Sequence, residues 1–305
     1  MSPSKRMRLA VVGLGKVGQS CLDSASLCAD LEVAAVVRRP SSGVRGLTEP
    51  HRQIPVVTHI GQVRDVEAAM ICVPTTVAAD VEIEALHHGI PTVDCITLHG
   101  EAFERHKAAI HKLTIRYKLP AIVGAGWDPG ALSVLRSWLA LLSPGGSIQM
   151  SYRPGVSLHH TAMARTVNGV KDALCAEMRA ADGTLQRYVY VELEQGANAD
   201  HVNEAICADP LFLGQDTRVF VVDDLAAFEQ EGRGVVLDRR GSSGPLGHQH
   251  FLLEARGSET LLTARVMLAA ARALPQLEPG AYDLSEISAS ALWGEQAAKA
   301  AQGWL

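Results

Sequence analysis

A short apolar run that leads into three closely spaced glycines constrains the fold of this chain more than any other feature. Arg8 to Val12 reads as a buried β-strand, and a helical pattern begins directly after the glycines. The first glycine suits a tight turn, the second lets a phosphate approach the backbone, and the third lets the helix pack on the sheet. The first N–H groups of that helix attract phosphate as well. This pattern predicts a dinucleotide-binding βαβ unit whose cofactor contacts are Gly13, Gly15, Lys16, Val17 and Gly18.

Apolar strands alternate with helices through the first 126 residues. The segments that read as strands are short and almost continuously apolar, which is typical of strands that are buried on both faces of a parallel sheet. The alternation predicts an α/β fold with a Rossmann-type, doubly wound parallel sheet. After the first strand, the predicted strands are Leu31–Val37, Val56–Val57, Ala69–Val73, Pro91–Asp94 and Ala121–Gly124.

The pattern changes after Gly130. Several later segments alternate apolar and polar residues, which favours antiparallel strands with one covered face. We therefore expect residues 1–126 to form the dinucleotide-binding domain, completed by residues 275–305, and residues 127–274 to form a second, α+β domain. The predicted strands of the second domain are Ser147–Tyr152, Gln186–Leu193, Arg218–Val222, Gly234–Asp238 and His248–Ala255.

The end of the second strand indicates which dinucleotide binds. An NAD site places an acidic residue there for the ribose hydroxyls, but this chain has Arg38 and Arg39. Two guanidinium groups suit a 2′-phosphate, which accepts bidentate, charge-assisted hydrogen bonds. The alternative is a solvated basic pair at a strand end; we favour the phosphate and expect NADP(H). We also expect the cofactor to contact the loop that closes the fourth strand, Cys72, Val73, Pro74 and Thr75.

Composition restricts the compartment and the partners. The chain has 305 residues and a formal net charge of −5, so it offers no basic footprint for nucleic acid. Its six cysteines form no Cys-x-x-Cys pair, which is typical of the reduced thiols of cytoplasmic proteins. No window approaches the roughly 20 apolar residues of a membrane span. We expect a cytoplasmic protein that binds a small molecule and neither nucleic acid nor membrane.

The segment Gly124 to Gly130 is the most distinctive in the chain. It leaves a strand through a glycine-flexed turn and presents Trp127 and Asp128 just before a helical pattern. Asp128 also suits a helix N-cap with Pro129 at the first helical position, so capping is a competing explanation for the acid. A carboxylate at the carboxyl edge of a cofactor-binding sheet can hold an ammonium group and relay a proton. Asp94 ends another strand at the same edge, so we expect it near the nicotinamide.

These motifs and others along the chain resemble the meso-diaminopimelate dehydrogenase family. The resemblance implies NADPH, a homodimer formed through the second domain, and reversible oxidative deamination at the D-configured centre of a diamino diacid. We assign catalytic roles to Asp128, Trp127 and Asp94, and the resemblance implies that Arg187 in the second domain binds a substrate carboxylate. The matching segments are the glycine turn and residues 37–39, 72–75, 92–94, 124–130, 154–155, 169–174 and 189–194.

The chain departs from the family pattern at positions that the family uses for substrate. Thr97 stands where the family usually has a second, amine-binding aspartate. The family's Gly-His-Ser before the dimer helix reads His159-His160-Thr161, and Arg233 and His248 occupy the positions of a pocket histidine and a pocket asparagine. The residues that we expect to bind the cofactor match the family pattern, whereas these positions do not. The departures therefore imply a paralogue whose substrate is more acidic or less aminated than meso-diaminopimelate.

Metal binding and two other functions are alternatives to this interpretation. His159-His160 and His248-x-His250 lack a cysteine or carboxylate partner at metal-binding spacing, so we expect no metal. The chain can also be another NADPH-dependent imine or carbonyl reductase, in which Asp128 serves a different substrate. A non-catalytic NADPH-binding dimer is the third possibility, and the Trp127–Asp128 pair argues against it because a sensor needs no acid beside the nicotinamide.

Overall fold

The computed structural model describes most of the chain, in two compact units, Met1–Ser137 with Glu259–Leu305 and Trp138–Ser258. The described residues are 6–39, 46–152, 158–179, 185–225, 234–241 and 249–294, with single positions at 299 and 303. The strands are β1 (Met7–Val12), β2 (Leu31–Val37), β3 (Val56–Val57), β4 (Ala68–Ile71), β5 (Thr92–Asp94), β6 (Pro120–Ile122), β7 (Ser147–Tyr152), β8 (Val170–Arg179), β9 (Leu185–Leu193), β10 (Asp216–Val221), β11 (Gly234–Arg240), β12 (His250–Arg256) and β13 (Gly280–Tyr282).

The helices alternate with the strands through most of the chain. They are α1 (Lys16–Ser26), α2 (Thr75–His87), α3 (Gly100–Tyr117), α4 (Leu132–Leu142), α5 (Leu158–Ala164), α6 (Ala199–Ala208), α7 (Glu259–Ala273) and α8 (Ala289–Leu292). Among the described residues, no helix combines the length and the hydropathy that crossing a bilayer requires.

A seven-stranded parallel sheet forms the centre of the first unit, and it confirms the predicted doubly wound fold. The strand order is β13-β6-β5-β4-β1-β2-β3, and every neighbouring pair runs parallel. The direction in which strands are added reverses at β1, which lies between β2 and β4. Ligands of such sheets bind at the carboxyl ends of the strands beside this reversal.

Alternate residues of the central strand explain why both faces of the sheet are covered. Leu9 and Val11 belong to a buried cluster with residues of α1 and α7, whereas Ala10 and Val12 belong to a cluster with residues of α2. All four side chains are at most 5% exposed. Burial of each valine or leucine contributes roughly 1.5–3 kcal/mol to the stability of the fold. The apolar side chains on both faces of this strand therefore favour the packing of helices on both sides of the sheet.

The units divide at different residues from the predicted domain boundaries. We expected breaks after residues 126 and 274, but the first unit extends to Ser137 and resumes at Glu259. Helix α7 accounts for the second difference, because its Ala264, Met267 and Leu268 are buried in the same cluster as α1 and β1. An amphipathic pattern alone did not indicate which sheet this helix covers.

The second unit contains two three-stranded sheets, in the orders β10-β9-β8 and β12-β11-β7. Strands β8 and β9 are antiparallel, as are both pairs of the second sheet. The expectation of antiparallel strands is wrong for β10, which runs parallel to β9. The physical reason is the intervening helix α6, because a helical crossover returns the chain to the end of the sheet at which β9 began.

Candidate functional site

The glycine turn after β1 is shaped to leave space beside the backbone. Gly13 has a φ of +93°, and a Cβ atom there would lie 2.6 Å from the carbonyl oxygen of Cys72. A Cβ atom on Gly18 would lie 2.0 Å from the carbonyl oxygen of Gly13, so helix and turn are in direct contact. Around Gly15, by contrast, a Cβ atom would meet nothing within 4 Å. The first and third glycines therefore form the turn, and the second faces open space.

Helix α1 presents its N-terminus to that space. Its N-cap residue is Gly15, which has no side chain to accept a hydrogen bond, and Lys16 and Val17 begin the helix. The first N–H groups are therefore available to an anion, and the positive end of the helix dipole adds to the attraction.

A cavity of about 410 Å³ extends from the glycine turn to the ends of β2 and β4. Arg38 and Arg39 both line it, and the amide of Arg38 is held by the carbonyl of Val57 at 2.9 Å. The sequence did not identify the far wall, where the Nε2 atom of His59 lies 3.0 Å from a carboxylate oxygen of Glu84. The cavity is lined by Val12–Gly15, Val37–Arg39, Thr58–Ile60, Cys72–Pro74, Val77, Val81 and Glu84.

The loop after β4 is partly within this cavity. Cys72, Val73 and Pro74 line it, while Thr75 begins α2. Thr75 is joined to the loop after β5, because the amide of Thr97 donates to the Thr75 hydroxyl at 3.4 Å. The two hydroxyl oxygens are also 3.4 Å apart. Thr97 is exposed at the carboxyl edge of the sheet, where a ligand can reach it.

Trp127 and Asp128 lie in a single π-helical turn, Trp127–Ala131, that precedes α4. Asp128 has extended backbone angles (φ −125°, ψ 127°) inside this turn, and α4 begins only at Leu132. Extended angles are also those of an N-cap residue, so helix capping and a chemical role both remain explanations for Asp128. The amide of Trp127 donates to the hydroxyl of Thr263 on α7 at 3.1 Å.

A histidine that the sequence did not single out lies beside Asp128. The Nε2 atom of His99 is 3.7 Å from the Oδ2 atom of Asp128. Asp128 is 10% exposed whereas His99 is 54% exposed, so the histidine lies between the carboxylate and solvent. His99 precedes α3 in the loop after β5, and Asp128 follows β6, so neighbouring strand ends bring the two side chains together. The sequence did not indicate this contact, because His99 and Asp128 are far apart along the chain.

Asp94 has a different position from the one we expected. Its side chain is fully buried, and its Oδ1 atom accepts from the amides of Ile96 and Gly124 at 2.9 and 2.8 Å. The catalytic role of Asp94 stays a prediction; in this structure its carboxylate is enclosed and accepts two backbone hydrogen bonds. It joins the end of β5 to the turn after β6.

A second buried carboxylate and a histidine lie behind Asp94. The Nε2 atom of His106 is 3.6 Å from Asp94 Oδ2 and 3.1 Å from Glu82 Oε2. Burial and the charge of Asp94 raise the pKa of Glu82 to about 8. Burial opposes protonation of His106, but the attraction of Asp94 and Glu82 outweighs it and raises the pKa of His106 to about 9. Both shifts in pKa favour the protonated forms of Glu82 and His106 beside the Asp94 carboxylate.

Within the described part of the chain, the ligand atoms of two groups lie close enough together to share a metal ion. One is the Glu82–Asp94–His106 cluster and the other is His59, Glu84 and His88. Of the histidines that we considered from the sequence, His250 pairs with Asp238 at 2.9 Å.

Two of the expected substrate contacts in the second unit belong to its core. His160 is buried, with Nε2 3.3 Å from the carbonyl oxygen of Leu211 and its ring edge-on to Phe212. The hydroxyl of Thr161 accepts from the amide of Cys175 at 2.8 Å and is 2% exposed. Their role as substrate contacts stays a prediction; in this structure His160 is enclosed beside Leu211 and Phe212, and Thr161 is enclosed beside β8. His159 lies on α5, and its side chain is outside the described part of the structure.

The remaining expected substrate contacts are only partly described. Arg187 on β9 is 5% exposed, and its Nε atom donates to the side-chain oxygen of Gln215 within the same unit. Its role in binding a substrate carboxylate stays a prediction. Arg233 and His248 lie outside the described residues.

The comparisons with known proteins agree with the resemblance that the motifs carry. The chain is 33% identical over 285 residues to meso-diaminopimelate D-dehydrogenase of Bacteroides fragilis. The aligned region covers 93% of this chain and 94% of that protein. It is 25% identical to the enzyme of the same name from Lysinibacillus sphaericus, over 96% and 97% of the two chains. No protein-family model matches.

Solved structures of similar fold have related names. A Corynebacterium glutamicum DAP dehydrogenase in complex with DAP superposes with a TM-score of 0.65 and 21% identity, over 98% of this chain and 99% of that one. An engineered D-amino acid dehydrogenase bound to NADP+ gives a TM-score of 0.62 and 19% identity, over 98% and 99%. At these identities the likeness establishes the fold, and the sequence identity to the Bacteroides enzyme establishes the family: this chain belongs to the meso-diaminopimelate D-dehydrogenase family.

Proposed function

We propose that this chain is an NADP-dependent amino-acid dehydrogenase that catalyses reversible oxidative deamination at a D-configured carbon, as its family name implies. One observation carries the proposal. The glycine turn, the paired arginines and the Trp127–Asp128 turn all lie at the carboxyl edge of one parallel sheet, in a chain 33% identical to a meso-diaminopimelate D-dehydrogenase.

The residues of the first unit fit a dinucleotide with a 2′-phosphate. The open space beside Gly15 and the uncapped start of α1 suit the pyrophosphate. Arg38 and Arg39 line the cavity that begins there, and their guanidinium groups can form charge-assisted hydrogen bonds with a terminal phosphate. When bound, NADP+ supplies the acceptor for the hydride of the substrate's α-carbon.

Asp128 is the group that we expect to hold the substrate's nitrogen and to move protons. A largely buried carboxylate attracts an ammonium strongly, and it can accept a proton once the amine must become neutral. The overall reaction consumes the amino acid, NADP+ and water and yields the 2-oxo acid, ammonium, NADPH and one proton. His99 is half-exposed and 3.7 Å from the carboxylate, so one water molecule between the two side chains would connect Asp128 to solvent for that proton.

The proposal is tested by incubating the purified protein with NADP+ and a panel of D- and L-amino acids that includes meso-diaminopimelate. We expect NADPH absorbance to increase with D-configured substrates only, with equal amounts of ammonia and 2-oxo acid formed. NADPH-dependent reduction of imines or carbonyl compounds without ammonia consumption would indicate the alternative reductase. Cofactor binding without turnover of any substrate would indicate a non-catalytic dimer.

We propose that the protein forms a homodimer. Trp138, Leu141 and Leu142 of α4 are large apolar side chains exposed on the second unit, and burying such a group is a common basis of association. Light scattering coupled to size exclusion should give twice the mass of the chain. A single-chain mass across the micromolar range would contradict this proposal.

We also propose a cytoplasmic location. The sulfur atoms of Cys21 and Cys72 lie 3.8 Å apart as separate thiols, which fits a reducing compartment. Fractionation of the native host with an antibody against the chain tests this directly, and recovery outside the cytoplasm would contradict it.

A further inference from the structure

The backbone that leads into Trp127 and Asp128 is held at two points by buried polar groups from other elements. At its start, the amide of Gly124 donates to Asp94 Oδ1 at 2.8 Å, and the amide of Ala125 donates to the Asp94 carbonyl at 2.7 Å. At the tryptophan, the amide donates to Thr263 at 3.1 Å. The backbone between these contacts therefore has little freedom to shift.

The first contact depends on how the Asp94 side chain is oriented. With Oδ1 bound to two amides, Oδ2 faces His106 at 3.6 Å, and His106 in turn lies 3.1 Å from Glu82. The hydroxyl of Thr92 donates to the other oxygen of Glu82 at 3.3 Å. Glu82, Asp94 and Thr92 are fully buried, so solvent does not compete for these contacts.

The second contact comes from a helix far away in the sequence. Thr263 lies on α7, is 8% exposed, and is 136 residues from Trp127. A Cβ atom on Gly126 would lie 3.5 Å from the Thr263 methyl group and 3.6 Å from Cβ of Cys95. The Thr263 hydroxyl therefore binds the Trp127 amide, and the Thr263 methyl group lies beside Gly126. Both groups are next to the backbone directly before Asp128.

We propose that Thr263 and His106 are positioning residues for Asp128: Thr263 holds the Trp127 amide by a hydrogen bond, and His106 orients Asp94, which binds the start of the turn, through an ionic contact at 3.6 Å. The inference rests on the proposed role of Asp128 in proton transfer. A displacement of about 1 Å at a reacting group can cost roughly a hundredfold in rate, so loss of either contact should lower kcat.

Paired variants of the full-length protein separate positioning from packing. Thr263→Val keeps the shape of the side chain and removes the acceptor for the Trp127 amide, whereas Thr263→Ser keeps the acceptor. His106→Leu removes the partner of Asp94, whereas His106→Gln keeps a donor. We expect kcat to fall about tenfold or more in Thr263→Val and His106→Leu and to recover in the conservative variants. The Kd for NADP+ should be unchanged in all four, because neither residue lines the cofactor cavity.

Hydrogen exchange measured by mass spectrometry tests the anchoring without turnover. The segment 121–131 should exchange faster in Thr263→Val than in Thr263→Ser, while the segment 7–20 exchanges equally. Equal exchange and equal kcat in the two Thr263 variants would overturn the proposal, even if the His106 variants do not fold. A wild-type protein that oxidises no amino acid would contradict the proposed function, and the exchange rates would still test the anchoring.

Discussion

Replacing Arg38 and Arg39 with alanine tests whether the 410 Å³ cavity is built for a 2′-phosphate. Arg38 is half-buried and its backbone is fixed by Val57, whereas Arg39 is exposed, so solvent screens the second charge more strongly. A charge-assisted hydrogen bond contributes ~1.5–3 kcal/mol, and even the lower value for one arginine corresponds to about tenfold in affinity. We therefore expect the double variant to bind NADPH at least about tenfold more weakly.

The assay is a fluorescence titration of each variant with NADPH and with NADH. NADH affinity should change little, because NADH lacks the phosphate that the arginines contact. Arg52→Ala/Arg64→Ala is the matched control, since it removes the same charge from exposed residues outside the cavity and should leave both affinities intact. Unchanged discrimination between NADPH and NADH in the Arg38/Arg39 variant would refute the argument.

Two further predictions follow from the buried cluster and from the edge of the sheet. The folded-state pKa values of Glu82 and His106 are raised to about 8 and 9, so the stability that protonation contributes is lost as pH rises through these values. We expect Tm to fall between about pH 5 and pH 9 and to fall less in His106→Gln; a Tm that is constant over this range would contradict the raised pKa values. At the edge of the sheet, Thr97 offers a neutral hydroxyl where the resemblance implies a carboxylate in the family, so we expect kcat/KM for meso-diaminopimelate to be lower than for a more acidic or less aminated amino acid. Thr97→Asp should raise kcat/KM for meso-diaminopimelate about tenfold, which corresponds to the free energy of one charged hydrogen bond. If meso-diaminopimelate is the best substrate of the wild-type protein, the predicted substrate preference is wrong.

The first unit could be predicted from the sequence because its strands are apolar on both faces. Leu31–Val37 has the same bounds in the prediction and in the structure, and the glycines mark where β1 ends and α1 begins. Strand β13 was not predicted, because two of its three residues are glycine and alanine, which are not typical of strands. Its place beside β6 is set by tertiary pairing.

The second unit was harder to predict because its strands are only half-buried. Alternation identified β9 and β10 as strands, but it carries no information on their relative direction. Strand β8, with the sequence VKDALCAEMR, mixes charged residues with alanine, which is not typical of strands, and the prediction omitted it.

At the candidate site, the sequence indicated which residues lie at strand ends but not which of them are exposed. Asp94 and Asp128 follow neighbouring strands and have the same side-chain chemistry, yet one accepts backbone hydrogen bonds in the core and the other lies beside His99 near the surface. The contact of Thr263 with Trp127 spans 136 residues and had no local signal. Tertiary hydrogen bonds therefore decide these roles.

The turnover of Asp128→Asn with a D-configured amino acid and NADP+ tests the central claim most directly. Asparagine keeps the shape of the side chain and removes the charge and the proton acceptor. We predict that the variant folds, binds NADP+ with wild-type affinity and loses about 10²–10⁴-fold in kcat. A variant that keeps near-wild-type kcat would contradict the assignment of Asp128 to proton transfer.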